Sequence, residues 1–199
     1  MDLATCQRHK QIAGFALKQL NQMSIKSTNK FWQRTNRVKR GLVTQRKLRG
    51  GGYDGEGYDL GLEDGAWGDL VSEEFVADLT FTLGAGNCPE KARVFGVLAS
   101  RDERIGGSHI YRCHFDPYNH AIAVMTEEDL QVGTNNLRFR NFGENAIVLD
   151  GWTEDWWFPN VGKLDTIRYN LWRAATPFAM TVRISSRLCN NLTIAAKIC

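Results

Sequence analysis

The spacing of apolar residues is helical near the start of the chain. Between Gln7 and Met23 they recur every three or four positions, which is the period of an α-helix. The apolar residues that follow this spacing are Ile12, Phe15, Ala16, Leu20 and Met23. The pattern predicts a short amphipathic helix that ends at Ser24. Three uses for this helix stay open: packing against the folded domain, contact with nucleic acid, and attachment to a membrane surface.

From Glu74 onward the period of the pattern changes to two. Val, Ile, Phe, Thr, Trp and Tyr become frequent, as is typical of β-strands. Nine strands are predicted, over residues 75–83, 93–100, 109–115, 121–126, 137–142, 146–152, 166–172, 178–186 and 192–198. Turn-forming segments such as GAGNCPE and DPYNH separate them. Strands that follow one another so closely predict an all-β fold, an antiparallel sandwich or barrel.

Charge is divided unequally along the chain. Residues 1–50 contain twelve Lys or Arg and one acid, Asp2, whereas the remainder contains 13 bases and 21 acids. The densest stretch, residues 30–49, has no acid. Basic side chains neutralise phosphates without reading base sequence, and aromatic rings stack on unpaired bases. The predicted nucleic-acid-binding residues are Lys30, Phe31, Trp32, Arg34, Arg37, Lys39, Arg40, Arg46, Lys47 and Arg49.

Two alternatives to nucleic-acid binding stay open for this stretch. Blocks of like charge often form a solvated tail with no partner. Phe31 and Trp32 are equally well explained as anchors that attach the stretch to the folded domain.

A glycine-rich segment separates the basic stretch from the strand-rich region. Residues 50–70 contain eight glycines and no Lys or Arg. So much glycine costs too much backbone entropy for a stable helix or strand. The sequence therefore predicts three parts: a basic arm over residues 1–50, a hinge over residues 51–72 and a β-sandwich domain over residues 73–199.

The cysteines and the hydropathy indicate the compartment. The five cysteines are widely spaced and include no CxxC pair, so free thiols in a reducing compartment are expected. No apolar run approaches the roughly 18 residues needed to cross a bilayer. The first ten residues lack the apolar region of a secretory signal. We therefore expect neither a membrane span nor a signal peptide.

Few residues suggest a metal site or catalysis. His109, Cys113, His114 and His120 have the chemistry of zinc ligands, but a strand would point His114 away from His109 and Cys113. A hydrated loop is expected for the three consecutive acids Glu127, Glu128 and Asp129. A calcium site is the alternative. The sequence contains neither GxSxG nor a nucleotide-binding glycine motif. It therefore predicts a protein without enzymatic activity, cofactor or metal.

Residues 150–160, DGWTEDWWFPN, are unusually aromatic. A single turn has little core of its own for so many large rings, and exposed aromatic clusters mark contact surfaces. The predicted interface residues are Trp152, Trp156, Trp157 and Phe158. Burial in the core and stacking on a carbohydrate are the second and third interpretations. Glu154 and Asp155 are adjacent and would diverge, which disfavours a glycosidase pair.

A basic arm, a glycine-rich hinge and a β-rich domain together resemble the coat proteins of small icosahedral viruses. The resemblance implies a single jelly roll of eight or nine strands that assembles into a homo-oligomeric shell. It also implies that the arm binds single-stranded RNA without sequence preference, in the virion and in the host cytoplasm or nucleus. The alternatives are a non-capsid RNA-binding factor and a β-sandwich effector or lectin-like module.

Overall fold

The computed structural model describes residues 2–48, 72–116, 120–160 and 181–189. Within these residues it has four α-helices and six β-strands. The helices are α1 (Leu3–Gln22), α2 (Asn36–Leu48), α3 (Glu73–Leu83) and α4 (Cys88–Ser100). The strands are β1 (His109–Asp116), β2 (His120–Thr126), β3 (Leu137–Arg138), β4 (Ile147–Asp150), β5 (Asp155–Trp157) and β6 (Thr181–Cys189).

The strands form one antiparallel sheet in the order β3-β6-β1-β2-β4-β5. At its centre, Cys113 of β1 lies opposite Ile122 of β2 and Ile184 of β6. On the other side of β2, Val148 of β4 pairs with Val124. The first residue of β2 and the last residue of β4 therefore lie at the same end of the sheet, because the two strands are antiparallel.

The prediction of an all-β jelly-roll sandwich is wrong. The protein has helices packed on a single sheet, and the predicted strands at 75–83 and 93–100 belong to α3 and α4. The predicted strand at 137–142 is reduced to the two residues of β3, which a 3₁₀ turn follows. The predicted strands at 166–172 and 192–198 lie outside the described residues.

Capping explains why residues 73–83 form a helix despite their alternating pattern. Ser72 accepts a hydrogen bond at its side chain from the main-chain N–H of Phe75, 3.1 Å away, and Gly84 ends the helix in the left-handed conformation. Glu73 and Glu74 lie in the first turn, where negative charge is favourable. The alternating residues also supply a helical face, whose buried members are Val76, Ala77 and Thr80.

Several sequence predictions are confirmed. The predicted helix over residues 7–23 is α1, and the predicted strands over 109–115 and 121–126 are β1 and β2. The predictions for 146–152 and 178–186 each overlap a shorter or displaced strand, β4 and β6. Of the three uses considered for α1, the structure shows packing on the folded domain.

The main core lies between α1, α4 and one face of the sheet. Buried residues of α1, including Ile12 and Leu20, share this core with Phe95 of α4 and with Met125 and Leu149 of the sheet. Gly96 lets α4 approach closely, since a Cβ atom there would lie 3.3 Å from Ile110 Cγ2 and 3.4 Å from Ala123 Cβ. The opposite sheet face carries a second cluster that includes Tyr111, Cys113, Ile122, Phe142 and Trp157.

Helix α2 packs on the segment that precedes α4. Val38 and Leu42 form a small buried cluster with Ala85, and Gln45 donates to the Thr80 hydroxyl of α3. The predicted hinge at 51–72 lies, except for Ser72, outside the described residues. In the part of the chain that the structure describes, none of the helices is both apolar and long enough to span a bilayer.

Replacing a buried leucine of α1 should destabilise the whole domain. We expect Leu20→Ala to lower the free energy of unfolding by about 2–5 kcal/mol through lost burial and the cavity left behind. The control is Leu3→Ala in the same helix, because Leu3 is 74% exposed and its loss should change stability by only about 0.5 kcal/mol or less. Urea unfolding measures both. Equal stability of the two variants would contradict the packing of α1 in the core.

Candidate active site

A cysteine lies at the first position of α4. The preceding residue, Asn87, donates its main-chain N–H to the Glu90 carboxylate at 2.9 Å. The Asn87 side-chain oxygen accepts from the hydroxyls of Ser27 and Thr28, at 2.9 and 3.0 Å, and from the Thr28 N–H at 3.1 Å. These hydrogen bonds fix the start of the helix, and Cys88 is 7% exposed there.

A buried histidine faces this cysteine. His120 is the first residue of β2, and its ring hydrogen-bonds both the Cys88 side chain and the Asp150 carboxylate. The Nε2 atom lies 2.9 Å from Asp150 Oδ2. The imidazole thus connects a thiol to a carboxylate.

The carboxylate of Asp150 is held in one orientation. Asp150 is the last residue of β4 and is fully buried. Its Oδ1 atom accepts from the main-chain N–H groups of Trp152 and Thr153, at 2.9 and 3.2 Å. Its Oδ2 atom is therefore the oxygen presented to His120. A carboxylate fixed in this way selects the tautomer and orientation of the ring that it binds.

The turn that follows Asp150 packs directly on α4. A Cβ atom on Gly151 would lie 2.6 Å from the carbonyl oxygen of Lys91, so only glycine fits without displacing the backbone. Further along the turn, Glu154 Oε1 accepts from the buried Lys91 at 3.2 Å and from Lys30 at 3.4 Å. Glu154 has a positive φ of 60°, a conformation that costs free energy and is stable only when its surroundings hold it.

An aromatic ring covers the histidine. The Trp152 indole packs edge-on against His120, with ring centroids 5.9 Å apart and an interplanar angle of 71°. The Lys30 ammonium lies 5.4 Å from the centroid of the same indole, within the range of a cation–π interaction. The Trp152 ring therefore limits contact between water and the His120–Asp150 hydrogen bond.

The surroundings of His120 favour its charged form. Burial alone would lower the pKa of the imidazole, but the hydrogen bond that the ring donates to Asp150 and the interactions with Cys88 outweigh burial and raise it to about 10. At neutral pH the ring therefore carries a proton. Lys91, one helical turn after Cys88, has a lowered pKa because it is buried, although Glu154 counteracts this effect.

Cys88, His120 and Asp150 together have the geometry of a nucleophile, a base and a group that orients the base. The cysteine also lies at a helix N-terminus, where the helix dipole favours negative charge. The thiolate, and not the thiol, is the nucleophilic form of a cysteine. The arrangement is therefore suited to nucleophilic attack on a carbonyl group.

The structure places the predicted nucleic-acid-binding residues in and before α2. The side chains of Arg34, Arg37 and Arg40 are exposed, Lys39 is half-buried, and Trp32 is 68% exposed. Lys30 pairs with Glu154. Arg49 lies outside the described residues, and the side chains of Phe31, Arg46 and Lys47 are not described. Nucleic-acid contact by this set stays a prediction.

The aromatic residues predicted to form an interface lie mostly within the domain. Trp157 is buried in the second core cluster, and Trp156 and Phe158 pack on the main core. Trp152 covers His120. The rings find a core because residues 155–157 form strand β5 at the sheet edge, not a free surface loop. Their predicted part in a subunit contact stays untested.

The four residues considered as zinc ligands do not converge. His114 Nε2 lies 2.9 Å from the Arg112 guanidinium, Cys113 is buried on the opposite face of β1, and His120 is bonded to Asp150. Among the described residues no three His, Cys, Asp or Glu side chains are grouped to hold a metal ion. In the predicted acidic loop, Glu127 pairs with Arg8 at 2.9 Å, and Asp129 pairs with Arg187.

Sequence reasoning missed the cysteine, the histidine's true partners and the aspartate. Cys88 sits in a segment interpreted as a turn between strands, although Asn87, Pro89 and Glu90 are all favourable at a helix start. The three residues are separated by about thirty positions each, so no local motif joins them. The signal in the sequence was limited to the helix start at Asn87, Pro89 and Glu90, which would have placed Cys88 at a helix N-terminus.

Comparisons with protein-family models, with curated proteins and with solved structures found no match.

The pKa of His120 should depend on the Asp150 carboxylate. In the Asp150→Asn variant the hydrogen-bonding shape is kept but the charge is lost, so the pKa of His120 should fall from about 10 towards or below the ordinary value of about 6.5. Histidine NMR resonances followed against pH measure it. Asp155→Asn is the matched control and should leave the pKa of His120 unchanged. An unchanged titration in Asp150→Asn would contradict the described hydrogen bond.

The same shift makes stability depend on pH in a defined direction. Because the pKa of His120 is higher in the folded state, its charged form contributes stability that is complete below about pH 6.5 and lost as the pH rises through about 10. The stability difference between the wild type and His120→Gln should therefore shrink with increasing pH over this interval.

Adding one methyl group at Gly151 should disturb the site. The Gly151→Ala Cβ would lie 2.6 Å from the Lys91 carbonyl oxygen, so the turn must move away from α4 and take Asp150 with it. We expect a lower melting temperature and a lowered pKa of His120. Gly14→Ala is the control, because Gly14 is exposed in α1 and a Cβ there meets no atom within 4 Å. That change should stabilise the helix by up to about 1 kcal/mol.

Proposed function

We propose that the protein is a cysteine-dependent acyl-transfer enzyme that hydrolyses an amide or ester bond. Cys88 is the nucleophile, His120 is the general base and acid, and Asp150 orients His120. The observation that carries this proposal is the buried hydrogen-bonded series from Cys88 through His120 to Asp150. Burying charged or polar side chains costs stability unless each of them is hydrogen-bonded. A role in catalysis explains why this buried set of three side chains is present.

The first half of the reaction forms a thioester. His120 already carries a proton at neutral pH, so Cys88 reacts as the thiolate of an ion pair with it, and this thiolate attacks the carbonyl carbon of the substrate. The carbonyl oxygen becomes an oxyanion near the N-terminus of α4, where N–H groups and the helix dipole stabilise negative charge. The imidazolium then donates its proton to the leaving nitrogen or oxygen. The carbon–heteroatom bond breaks, and the acyl group stays on the Cys88 sulfur.

The second half releases the acyl group. His120, now neutral, takes a proton from a water molecule as the water oxygen attacks the thioester carbonyl. The carbon–sulfur bond breaks, the free acid departs, the Cys88 sulfur leaves as a thiolate, and the proton kept by His120 restores the starting thiolate and imidazolium pair. Asp150 keeps the ring in place and stabilises its positive charge in both halves, without itself taking the proton.

The observed fold changes how well each function predicted from the sequence is supported. A shell-forming coat protein stays a prediction, but the jelly roll that the resemblance implied is wrong, because the protein has helices packed on a single sheet. Neither a lectin-like module nor a β-sandwich effector has its expected fold either. The sequence predicted no enzymatic activity. The three residues at the start of α4 and the ends of β2 and β4 support an enzymatic activity, which the following experiments test.

Selective alkylation tests the nucleophile. Iodoacetamide at about pH 6, below the ordinary thiol pKa of about 8.5, should modify Cys88 faster than Cys6 or Cys113. Burial raises the pKa of both of the latter thiols, which keeps them protonated. Peptide mass spectrometry gives the rate at each cysteine. His120→Gln should slow the reaction at Cys88 by about tenfold or more, because the thiolate loses its partner.

Trapping of an acyl-enzyme tests the chemistry itself. Incubation with p-nitrophenyl acetate should release a burst of p-nitrophenolate and leave an acetyl group on Cys88, which intact-mass measurement detects. Cys88→Ser should abolish the burst, and Cys113→Ser should preserve it. Acetylation that falls equally on several cysteines would refute the proposed function.

A further inference from the structure

An exposed basic surface begins beside the candidate active site. We define the basic strip as Lys26, Arg34, Arg37, Lys39 and Arg40. Four of these side chains are exposed and Lys39 is half-buried. The chain has no Asp or Glu between Asp2 and Asp54, so the segment contributes positive charge only. Because Val38 and Leu42 form the buried side of α2, Arg37 and Arg40 lie on its exposed side.

The main chain places the strip next to Cys88. The Lys26 N–H donates to the Gly84 carbonyl at 3.0 Å, and the Gly86 N–H donates to the Lys26 carbonyl at 2.9 Å. Gly86 is two residues before Cys88. Helix α2 packs on Ala85, and a Cβ atom on Gly41 would lie 3.0 Å from the Ala85 Cβ. The strip and the nucleophile thus flank the same short segment.

Among the residues that the structure describes, the carboxylates near the strip leave its positive charge largely uncompensated. Glu154 is shared by Lys30 and Lys91, Glu73 pairs with the buried Arg93 at 2.6 Å, and Asp78 pairs with Arg101 at 3.5 Å. Glu74 of α3 is half-buried and is a single charge against the five of the strip. Such a field attracts a partner with clustered negative charge.

The chemistry of the site decides between the polyanions that could occupy the strip. Thioester formation at Cys88 requires a carbonyl group in the substrate, and a polypeptide supplies amides in its backbone and in Asn and Gln side chains. The backbone of a nucleic acid contains no such group. A surface this close to the nucleophile is where the chain flanking the reacting carbonyl would lie, so an acidic polypeptide fits both the charge and the reaction.

We propose that the substrate is a protein whose acidic segment docks on the basic strip and brings a neighbouring amide to Cys88. This proposal rests on the proposed function and adds the substrate class. Acidic side chains on the substrate pair with Arg34, Arg37 and Arg40, while Lys26 contacts the chain nearest the reacting amide. The exposed Trp32 ring adds an apolar contact at the margin of the strip.

Reactive peptides test this docking on the full chain. Three chloroacetyl peptides of equal length, oligo-glutamate, oligo-serine and oligo-lysine, each form a thioether with Cys88 as chloride leaves. Oligo-glutamate should react about fivefold faster than oligo-serine, and oligo-lysine should react slowest. The preference should shrink with added salt, because exposed charges are screened beyond about 10 Å at 0.1 M ionic strength. Iodoacetamide, which is neutral, reports the reactivity of Cys88 alone.

Charge-reversed variants separate the strip from the nucleophile. Arg37→Glu with Arg40→Glu should abolish or reverse the peptide preference while the iodoacetamide rate at Cys88 stays the same. The control is Lys10→Glu with Arg101→Glu, which makes the same change in net charge. Lys10 is exposed on α1, and Arg101 follows the far end of α4, about 20 Å along the helix from Cys88. The control should keep the preference for oligo-glutamate.

The outcomes distinguish the two proposals. If iodoacetamide does not select Cys88, the proposed function fails, whatever the peptides do. If Cys88 is selectively reactive but the three peptides react at equal rates, only the docking proposal is overturned. Binding of a single-stranded RNA oligonucleotide that is lost in the Arg37→Glu, Arg40→Glu variant, together with equal peptide rates, would instead assign the strip to nucleic acid.

Discussion

The burial of α4 against the sheet is the constraint on which the rest of the structure depends. Almost every residue from Cys88 to Ala99 is buried, including the charged side chains of Glu90, Lys91 and Arg93. A helix that is buried on nearly all sides must satisfy each of its polar groups. The polar residues of α4, as well as its apolar ones, therefore determine which segments pack against it.

The partners of α4 explain why separate segments meet at its N-terminus. Glu90 bonds the main chain of Asn87, and Lys91 draws Glu154 and the turn after β4 onto the helix. Arg93 pairs with Glu73 at the start of α3. The same contacts that neutralise the helix thus bring Asp150 and His120 to Cys88. Stability of the fold and assembly of the site have a common physical cause.

Sequence patterns could predict the elements whose two faces differ. Helix α1 has one buried face, and its spacing of three and four revealed it. Strand β2 is buried along its whole length, so β1 and β2 were found from their strand-favouring residues and the turn-forming segment between them. Helix α4 has no polar face, so its periodicity carries no information. Helix α3 contains apolar residues at every second position, which fits a strand equally well, and only its caps at Ser72 and Gly84 distinguish the two.

Local sequence patterns could not predict the candidate site, for a different reason. Asn87, Pro89 and Glu90 mark a helix start, but nothing near Cys88 in sequence indicates that His120 will face it. Only the pairing of β2 with β4 places Asp150 beside His120. Residues 150–157 were interpreted through their aromatic side chains, although Asp150 and Gly151 determine the geometry there. Charge patterning, by contrast, identified a basic segment that contains most of the strip, and its partner has to be found by experiment.

The order of the three site residues along the chain has a consequence for biosynthesis. Cys88 leaves the ribosome before His120 and Asp150, and both strands that carry them must pair before the ring can face the sulfur. Until then Cys88 lacks the imidazole and carboxylate that face it in the folded domain. If Cys88 acts as proposed, the nascent chain has no activated nucleophile with which to attack its own carbonyl groups or the proteins that accompany its synthesis, and reactivity arises only when folding of this sheet is complete.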